Sequence, residues 1–160
     1  MLKKTNNILL IFLLFSISAS LIAAFIIQYG LGHQPCKLCI YQRIPYILSI
    51  FLIIELIFFK QNEKTTLLFL FLIFTISAIL AFYHFGIEQG FFNELTACVI
   101  ENPSEALSKE QLLEQLKQNS ISCKNVDFKI AGLSLATINT IFSFLLSVIF
   151  IKLFRSYGKN

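Results

Sequence analysis

Thr65-Thr66-Leu67-Leu68-Phe69-Leu70-Phe71-Leu72-Ile73-Phe74-Thr75-Ile76-Ser77-Ala78-Ile79-Leu80-Ala81-Phe82-Tyr83 carries no charged side chain from end to end. A helix needs roughly 20 apolar residues to cross a hydrocarbon core of about 30 Å. Comparable apolar runs occupy Ile8–Gln28, Ile40–Phe59 and Ile130–Phe154. The chain has 160 residues, a mean hydropathy of +0.75 and only 14% charged residues. A water-soluble domain of this size has too little interior to bury four such runs. The expected fold is therefore all-α: a four-helix transmembrane bundle forming one membrane domain over residues 1–160. Its spans are expected at 8–28, 42–59, 65–83 and 132–152, with loops at 29–41 and 84–131.

Lys3 and Lys4 precede the first run as they would in a secretory signal. Signal peptides, however, use about 7–15 apolar residues, so this longer run reads as a retained helix. Lys3, Lys4, Lys60, Lys64, Lys152, Arg155 and Lys159 all fall on one face if both termini are cytoplasmic, as the positive-inside rule prefers. The other face then receives both long connections. The second is rich in acids (Glu88, Glu94, Glu101, Glu105, Glu110, Glu114, Asp127), although four lysines share it. The net charge of +4 reflects the inner-face lysines and carries no implication of nucleic-acid binding. In loop 84–131, Ser108-Lys109-Glu110-Gln111 matches a capping box, and Leu112, Leu113 and Leu116 mark one side of a short amphipathic helix to about Gln118.

All four cysteines stand in the loops of that outer face, where disulfides persist. Cys36 and Cys39 lie in Gln34-Pro35-Cys36-Lys37-Leu38-Cys39-Ile40-Tyr41-Gln42-Arg43; Cys98 and Cys123 form a second, widely spaced pair. A Cys-x-x-Cys pair at a helix start, with a cation nearby, favours a thiolate and reversible exchange. The bland readings are a zinc knuckle or a static bridge. A closed zinc site commonly uses two close pairs of ligands, whereas Cys98 and Cys123 are separated by 24 residues. A fixed Cys98–Cys123 staple would stabilise by about 3 kcal/mol. Beside a Cys-x-x-Cys on the same face, a relay that moves oxidising equivalents through mixed disulfides is the better account.

Pro45 cannot donate to the carbonyl of Tyr41, so Cys36–Arg43 is expected to form its own helical turn, with the membrane helix proper starting near Ile44. Arg43, four residues beyond Cys39, either snorkels or holds a Cys39 thiolate and an acceptor oxygen. His84 and Glu88 stand at helical spacing, either as a solvated helix end or as proton-handling groups. Glu55 reads as an inner-end acid pairing or snorkelling near Lys60, and Asn139 as interhelical glue. No haem, flavin or second Cys-x-x-Cys signature is present to take electrons from the thiols. By elimination, a membrane-dissolved quinone near Cys39, Arg43 and His84 is the expected acceptor.

Pro35-Cys36-x-Leu38-Cys39-x-x-Gln42-Arg43 resembles the signature of the DsbB family of bacterial inner-membrane disulfide-bond formation proteins. Tyr83-His84-x-Gly86-Ile87-Glu88, the Cys98/Cys123 pair and Gly132-Leu133-Ser134-Leu135-Ala136 extend the likeness along nearly the whole chain. The resemblance implies a bacterial inner-membrane enzyme that reoxidises a periplasmic DsbA-like thioredoxin-fold oxidase and passes the electrons to ubiquinone or menaquinone. Carried onto matching positions, Cys98 is attacked by the partner's thiolate, and the released Cys123 attacks Cys36. Cys39 then faces the quinone, with Arg43 and His84 lining the cofactor site. A dedicated, DsbI-like branch stays open. The alternatives are a non-catalytic membrane protein braced by two bridges, a metal-handling protein using Cys36, Cys39 and His33, and a vitamin K epoxide reductase-like enzyme.

Overall fold

The computed structural model describes residues 7–59, 62–93, 123, 129–130 and 132–157. Helix α1 covers Asn7–Phe25 and runs on into a widened π-helical turn, Ile26–Gly30. Helix α2 is the short segment Lys37–Tyr41, followed by α3 at Arg43–Phe58 and α4 at Glu63–Glu88. Two-residue antiparallel strands, β1 at Lys129–Ile130 and β2 at Leu133–Ser134, lead into α5 at Leu135–Tyr157. Among the described residues, four spans are long and apolar enough to cross a membrane: Asn7–Gly30, Lys37–Phe58, Glu63–Glu88 and Leu135–Tyr157. The amphipathic helix expected near Leu112 lies outside the described residues, as do Lys3, Lys4, Lys60 and Lys159.

The chain breaks between α2 and α3 at Gln42, three residues before Pro45. Proline has no N–H for the Tyr41 carbonyl, so the ladder is interrupted there. Helix α4, by contrast, runs beyond Tyr83, where the apolar run ends. Its polar last turn stays helical because His84 and Glu88 are buried and face each other, with Nε2 to Oε1 at 3.7 Å. Gly90 then takes a left-handed φ of +79°, closing the helix as a glycine cap does. The chain folds back so that the Phe91 and Phe92 N–H groups both donate to the Gly86 carbonyl, at 2.8 and 3.2 Å. The Phe92 ring covers Gly86 and stacks on Tyr83 with centroids 5.5 Å apart.

The core is built from Leu10, Leu13 and Ile17 of α1, Tyr46, Ile53 and Leu56 of α3, Leu67, Leu70 and Phe74 of α4, and Leu146 and Phe150 of α5. Phe74 stacks on Phe150 at 5.5 Å and receives the edge of Tyr46 at 5.7 Å. Small hydroxyl residues let α4 and α5 approach closely and pair across the interface: Ser77 with Ser143 at 3.1 Å, Thr75 with Ser147 at 2.9 Å. Such pairing is required where lipid offers no hydrogen-bonding partner. The outer surface is the reverse of a soluble protein's. Phe12, Phe15, Phe51, Phe58, Ile79 and Phe144 all point outward, Phe15 being 72% exposed, which suits contact with acyl chains.

At one end of the bundle Lys64 sits 5.7 Å over the Phe154 ring, one residue from Arg155. The cysteines described here occupy the opposite end, next to the end of α4 that carries His84.

A methyl group added at Gly86 would meet the Phe92 ring at 2.1 Å, so Gly86→Ala must expel that ring from Tyr83. Loss of the stacked pair should lower stability by about 1 kcal/mol. Gly30→Ala meets only ordinary contact with Ile26, at 3.5 Å, and serves as the control that changes little. Thermal unfolding in detergent compares the two.

Candidate active site

Cys36 takes an extended conformation (φ −65°, ψ 164°) and caps the first turn of α2, its sulfur accepting from the Cys39 N–H at 3.3 Å. This local geometry brings the two sulfurs together at 2.8 Å. Both cysteines are free. The extended last turn of α4 then places His84 Nε2 3.6 Å from Cys36 Sγ. Cys36 is buried, which alone would raise its pKa. Hydrogen bonding from Cys39, aided by the His84 ring, outweighs burial and holds the Cys36 thiol at about 5 against an ordinary 9.0. The reduced pair is therefore a thiolate on Cys36 facing a thiol on Cys39.

Cys123 is buried beside Cys36, Leu38 and Ile87, and its backbone hydrogen-bonds the His84 ring. It is disulfide-bonded, and because Cys36 and Cys39 are free its partner is neither of them. Cys98 lies outside the described residues. A cavity of about 380 Å³ opens beside these groups. Cys36, Cys39, Cys123, Arg43 and His84 all line it, and Leu21, Ile27, Ile138 and Phe142 give it apolar walls. Five of the six residues singled out from sequence thus reach one cavity.

Arg43 is held from the α1 side. Its guanidinium donates to the Gln28 side-chain oxygen and to the Ala24 carbonyl (3.5 Å), and lies 4.9 Å over the Phe25 ring. The widened turn after Phe25 carries Ile27 and Gln28 to the cavity wall, a common use of π-helical turns. Asn139 serves as interhelical glue: it donates to Gln42 Oε1 at 2.8 Å and accepts from the Tyr46 hydroxyl. Glu88 accepts from Ser134, which also pairs with Thr137 at 2.9 Å, fixing the end of α4 to the start of α5.

Sequence reasoning did not single out Gln42 as more than part of a motif, nor Gln28, Tyr46 or Ser134. The available signal was polarity inside apolar runs, which marks a group needing a partner but does not name the partner. The third donor beside the dithiol is His84, whereas the metal reading named His33, which lines the same cavity. Ligand atoms of Cys36, Cys39 and His84 lie within 4.8 Å of one another.

The family model described as "Disulfide bond formation protein DsbB" matches residues 6–153. An uncharacterized protein of Rickettsia prowazekii (strain Madrid E) is 30% identical over 162 aligned positions, covering 99% of this chain and 93% of the relative. Disulfide bond formation protein B of Xylella fastidiosa (strain 9a5c) is 28% identical over 118 positions, covering 70% of this chain and 68% of that one. Its namesake from Pseudoalteromonas atlantica (strain T6c / ATCC BAA-1087) is 28% identical over 126 positions, covering 74% and 72%. A match over nearly the whole chain, with four spans and a free Cys-x-x-Cys pair, leads to one conclusion: this multi-pass membrane protein belongs to the DsbB family of disulfide-forming oxidoreductases.

Proposed function

We propose that the protein is a membrane thiol:quinone oxidoreductase that reoxidises a periplasmic thioredoxin-fold dithiol oxidase of the DsbA type. The observation that carries this reading is the shared cavity: a free dithiol, a disulfide-bonded cysteine, an arginine and a histidine face one apolar chamber at the end of a membrane bundle. The chamber's fit to a quinone rests on its chemistry. Apolar walls suit a lipid-soluble ring, and Arg43 offers planar N–H donors to a carbonyl oxygen. A bound ubiquinone or menaquinone would accept two electrons and two protons and leave as the quinol.

The chain's own residues supply the rest. Cys98 is the remaining cysteine of the four and the proposed disulfide partner of Cys123. A thiolate of the donor attacks Cys98, forming a mixed disulfide and releasing Cys123 as thiolate. Cys123, packed beside Cys36, then attacks the oxidised Cys36–Cys39 bond and frees Cys39. The donor's second thiol resolves the mixed disulfide, leaving the donor oxidised and Cys98 as a thiol. Cys98 then attacks Cys123, restoring the Cys98–Cys123 bond and releasing Cys36 as a thiolate. The Cys36–Cys39 bond re-forms when that reduced pair gives up two electrons and two protons to the acceptor. The net reaction turns one donor dithiol into a disulfide.

The same reading makes residues 1–160 one membrane domain of the bacterial inner membrane, with both termini cytoplasmic. Lys64, Lys152 and Arg155 fall on the side that the positive-inside rule assigns to the cytoplasm, and the dithiol falls outside. The metal-handling alternative names His33, whereas the donor atoms that gather within 4.8 Å are those of Cys36, Cys39 and His84.

Purified protein supplied with a reduced thioredoxin-fold donor and a soluble quinone should make quinol. Cys36→Ser and Cys39→Ser should each lower that rate by at least about a thousandfold, as loss of a nucleophile does. Cys98→Ser should stop exchange with the protein donor yet spare quinone reduction when a small dithiol reduces Cys36 and Cys39 directly. Unchanged turnover in Cys39→Ser contradicts the relay.

Because the Cys36 pKa is lowered, its thiolate persists above the folded value and is lost as pH falls through about 5. Ultraviolet thiolate absorbance of the reduced protein should titrate with that midpoint. Cys39→Ala removes the principal hydrogen-bond donor and should move the midpoint upward by about one unit or more.

Arg43→Lys keeps the charge and loses the planar fork, so it should raise the apparent quinone KM by about tenfold, read from steady-state kinetics.

A further inference from the structure

A continuous hydrogen-bonded line crosses the upper interior of the bundle. The Tyr46 hydroxyl of α3 donates to Asn139 Oδ1 of α5, and Asn139 Nδ2 donates to Gln42 Oε1 at 2.8 Å. Gln42 Nε2 then lies 3.2 Å from His84 Nδ1 on α4. Tyr46, Gln42 and His84 are buried. We propose that Gln42, held by Asn139 and Tyr46, fixes His84 in the tautomer that carries its proton on Nε2, making the ring a donor to Cys36 and a poor metal ligand.

The polarity of the line is set at Gln42. Its amide nitrogen also lies 3.5 Å from the Leu80 backbone carbonyl, a group that only accepts. Reversing the amide would set its oxygen against that carbonyl and its nitrogen against the Asn139 amide nitrogen. The N–H₂ end therefore faces His84, and Nδ1 is the accepting nitrogen. A neutral imidazole has one donor and one acceptor, so the proton belongs on Nε2. The surroundings of the other edge agree. Nε2 faces Cys36 Sγ at 3.6 Å and Glu88 Oε1 at 3.7 Å. A thiolate and a carboxylate both accept.

Two consequences follow for the dithiol. The Nε2 proton points at the sulfur whose thiolate must form, so Gln42 acts on Cys36 through His84 as a positioning residue. Equally, a metal on Nε2 needs a free lone pair there and an acceptor for a proton on Nδ1. Gln42 offers a donor instead. The cluster of Cys36, Cys39 and His84 is thereby kept open for disulfide exchange, although its ligand atoms lie within 4.8 Å.

The catalytic purpose rests on the proposed relay; the tautomer itself is measured without it. Long-range proton–nitrogen correlation spectra of the reduced, histidine-labelled full chain in detergent report the tautomer directly. His84 is assigned by the signals lost in His84→Gln. The wild type should show the Nε2–H form. Gln42→Glu, nearly isosteric, places an acceptor at Nδ1 and should move the proton there or leave both nitrogens protonated. The same variant should bind zinc at least about tenfold more tightly than the wild type, by calorimetry with zinc alone, and lose that gain when combined with Cys39→Ser. An Nδ1–H form or a doubly protonated ring in the wild type overturns the proposal, as does an identical tautomer and zinc affinity in Gln42→Glu. Should Gln42→Glu fail to fold, the wild-type spectrum still decides, and Asn139→Leu, which frees Gln42 to rotate, should give a mixture of tautomers. A wild type that shows Nε2–H but cannot reduce quinone contradicts the relay and not this assignment.

Discussion

Charge on a sulfur at the edge of a bilayer survives only where hydrogen bonds replace water, and the arrangement around Cys36 meets that constraint. Burial works against the thiolate; donation from Cys39 and from the His84 ring wins. Much of the local architecture follows from holding those donors in place. The cap at Cys36 folds Cys39 back onto it, and the helical ladder is interrupted at Gln42, before Pro45. The polar end of α4 stays helical because it is buried and paired, and so delivers His84. In hydrocarbon an unpaired polar group is costly, so each such side chain recruits another, from Gln42 through Asn139 to Tyr46 and Ser143.

The bundle separates its two ends chemically. Helix α4 alone spans the distance: from Lys64 to His84 at about 1.5 Å per residue is roughly 30 Å, the thickness of a hydrocarbon core. Lys64, Lys152 and Arg155 lie at one end, the dithiol at the other. Arg43 occupies the dithiol end in a different manner, tied to α1 through Gln28, Ala24 and the Phe25 ring. It thus joins α1 to α3 at the rim of the cavity and presents a fixed cation there. Arginine suits this better than lysine because the guanidinium can stack and donate from several nitrogens at once.

The four spans were legible because length and lack of charge are sufficient signals for a membrane helix. The interruption ahead of Pro45 was legible too, since a missing N–H is a local property of the residue. The tail of α4 is legible in part: His84 and Glu88 stand at helical spacing past the apolar run, but their partners, Gln42, Ser134 and the Cys36 loop, are far away in sequence. Arg43 was read against Cys39 from four-residue spacing, yet its hydrogen bonds run to α1, because helical register across a break is not encoded in spacing. The strand pair at 129–134 and the π-helical turn at Ile26–Gly30 are too short for periodicity to reveal. His84 is expected near the dithiol from the sequence and His33 only in the metal reading; that the His84 ring reaches Cys36 itself follows from how α4 packs.

The account stands on an electron pair moving from a protein dithiol, through the cysteines of this chain, to a lipid-soluble acceptor. Its most direct test is the anaerobic stoichiometry of the purified protein given a limiting amount of reduced thioredoxin-fold donor and excess quinone. One quinol formed per donor disulfide is the predicted result, with no donor oxidation when quinone is left out beyond the equivalents stored in the chain's own bridges. Donor oxidation that continues unchanged without quinone, or quinol formation uncoupled from the donor, would contradict it.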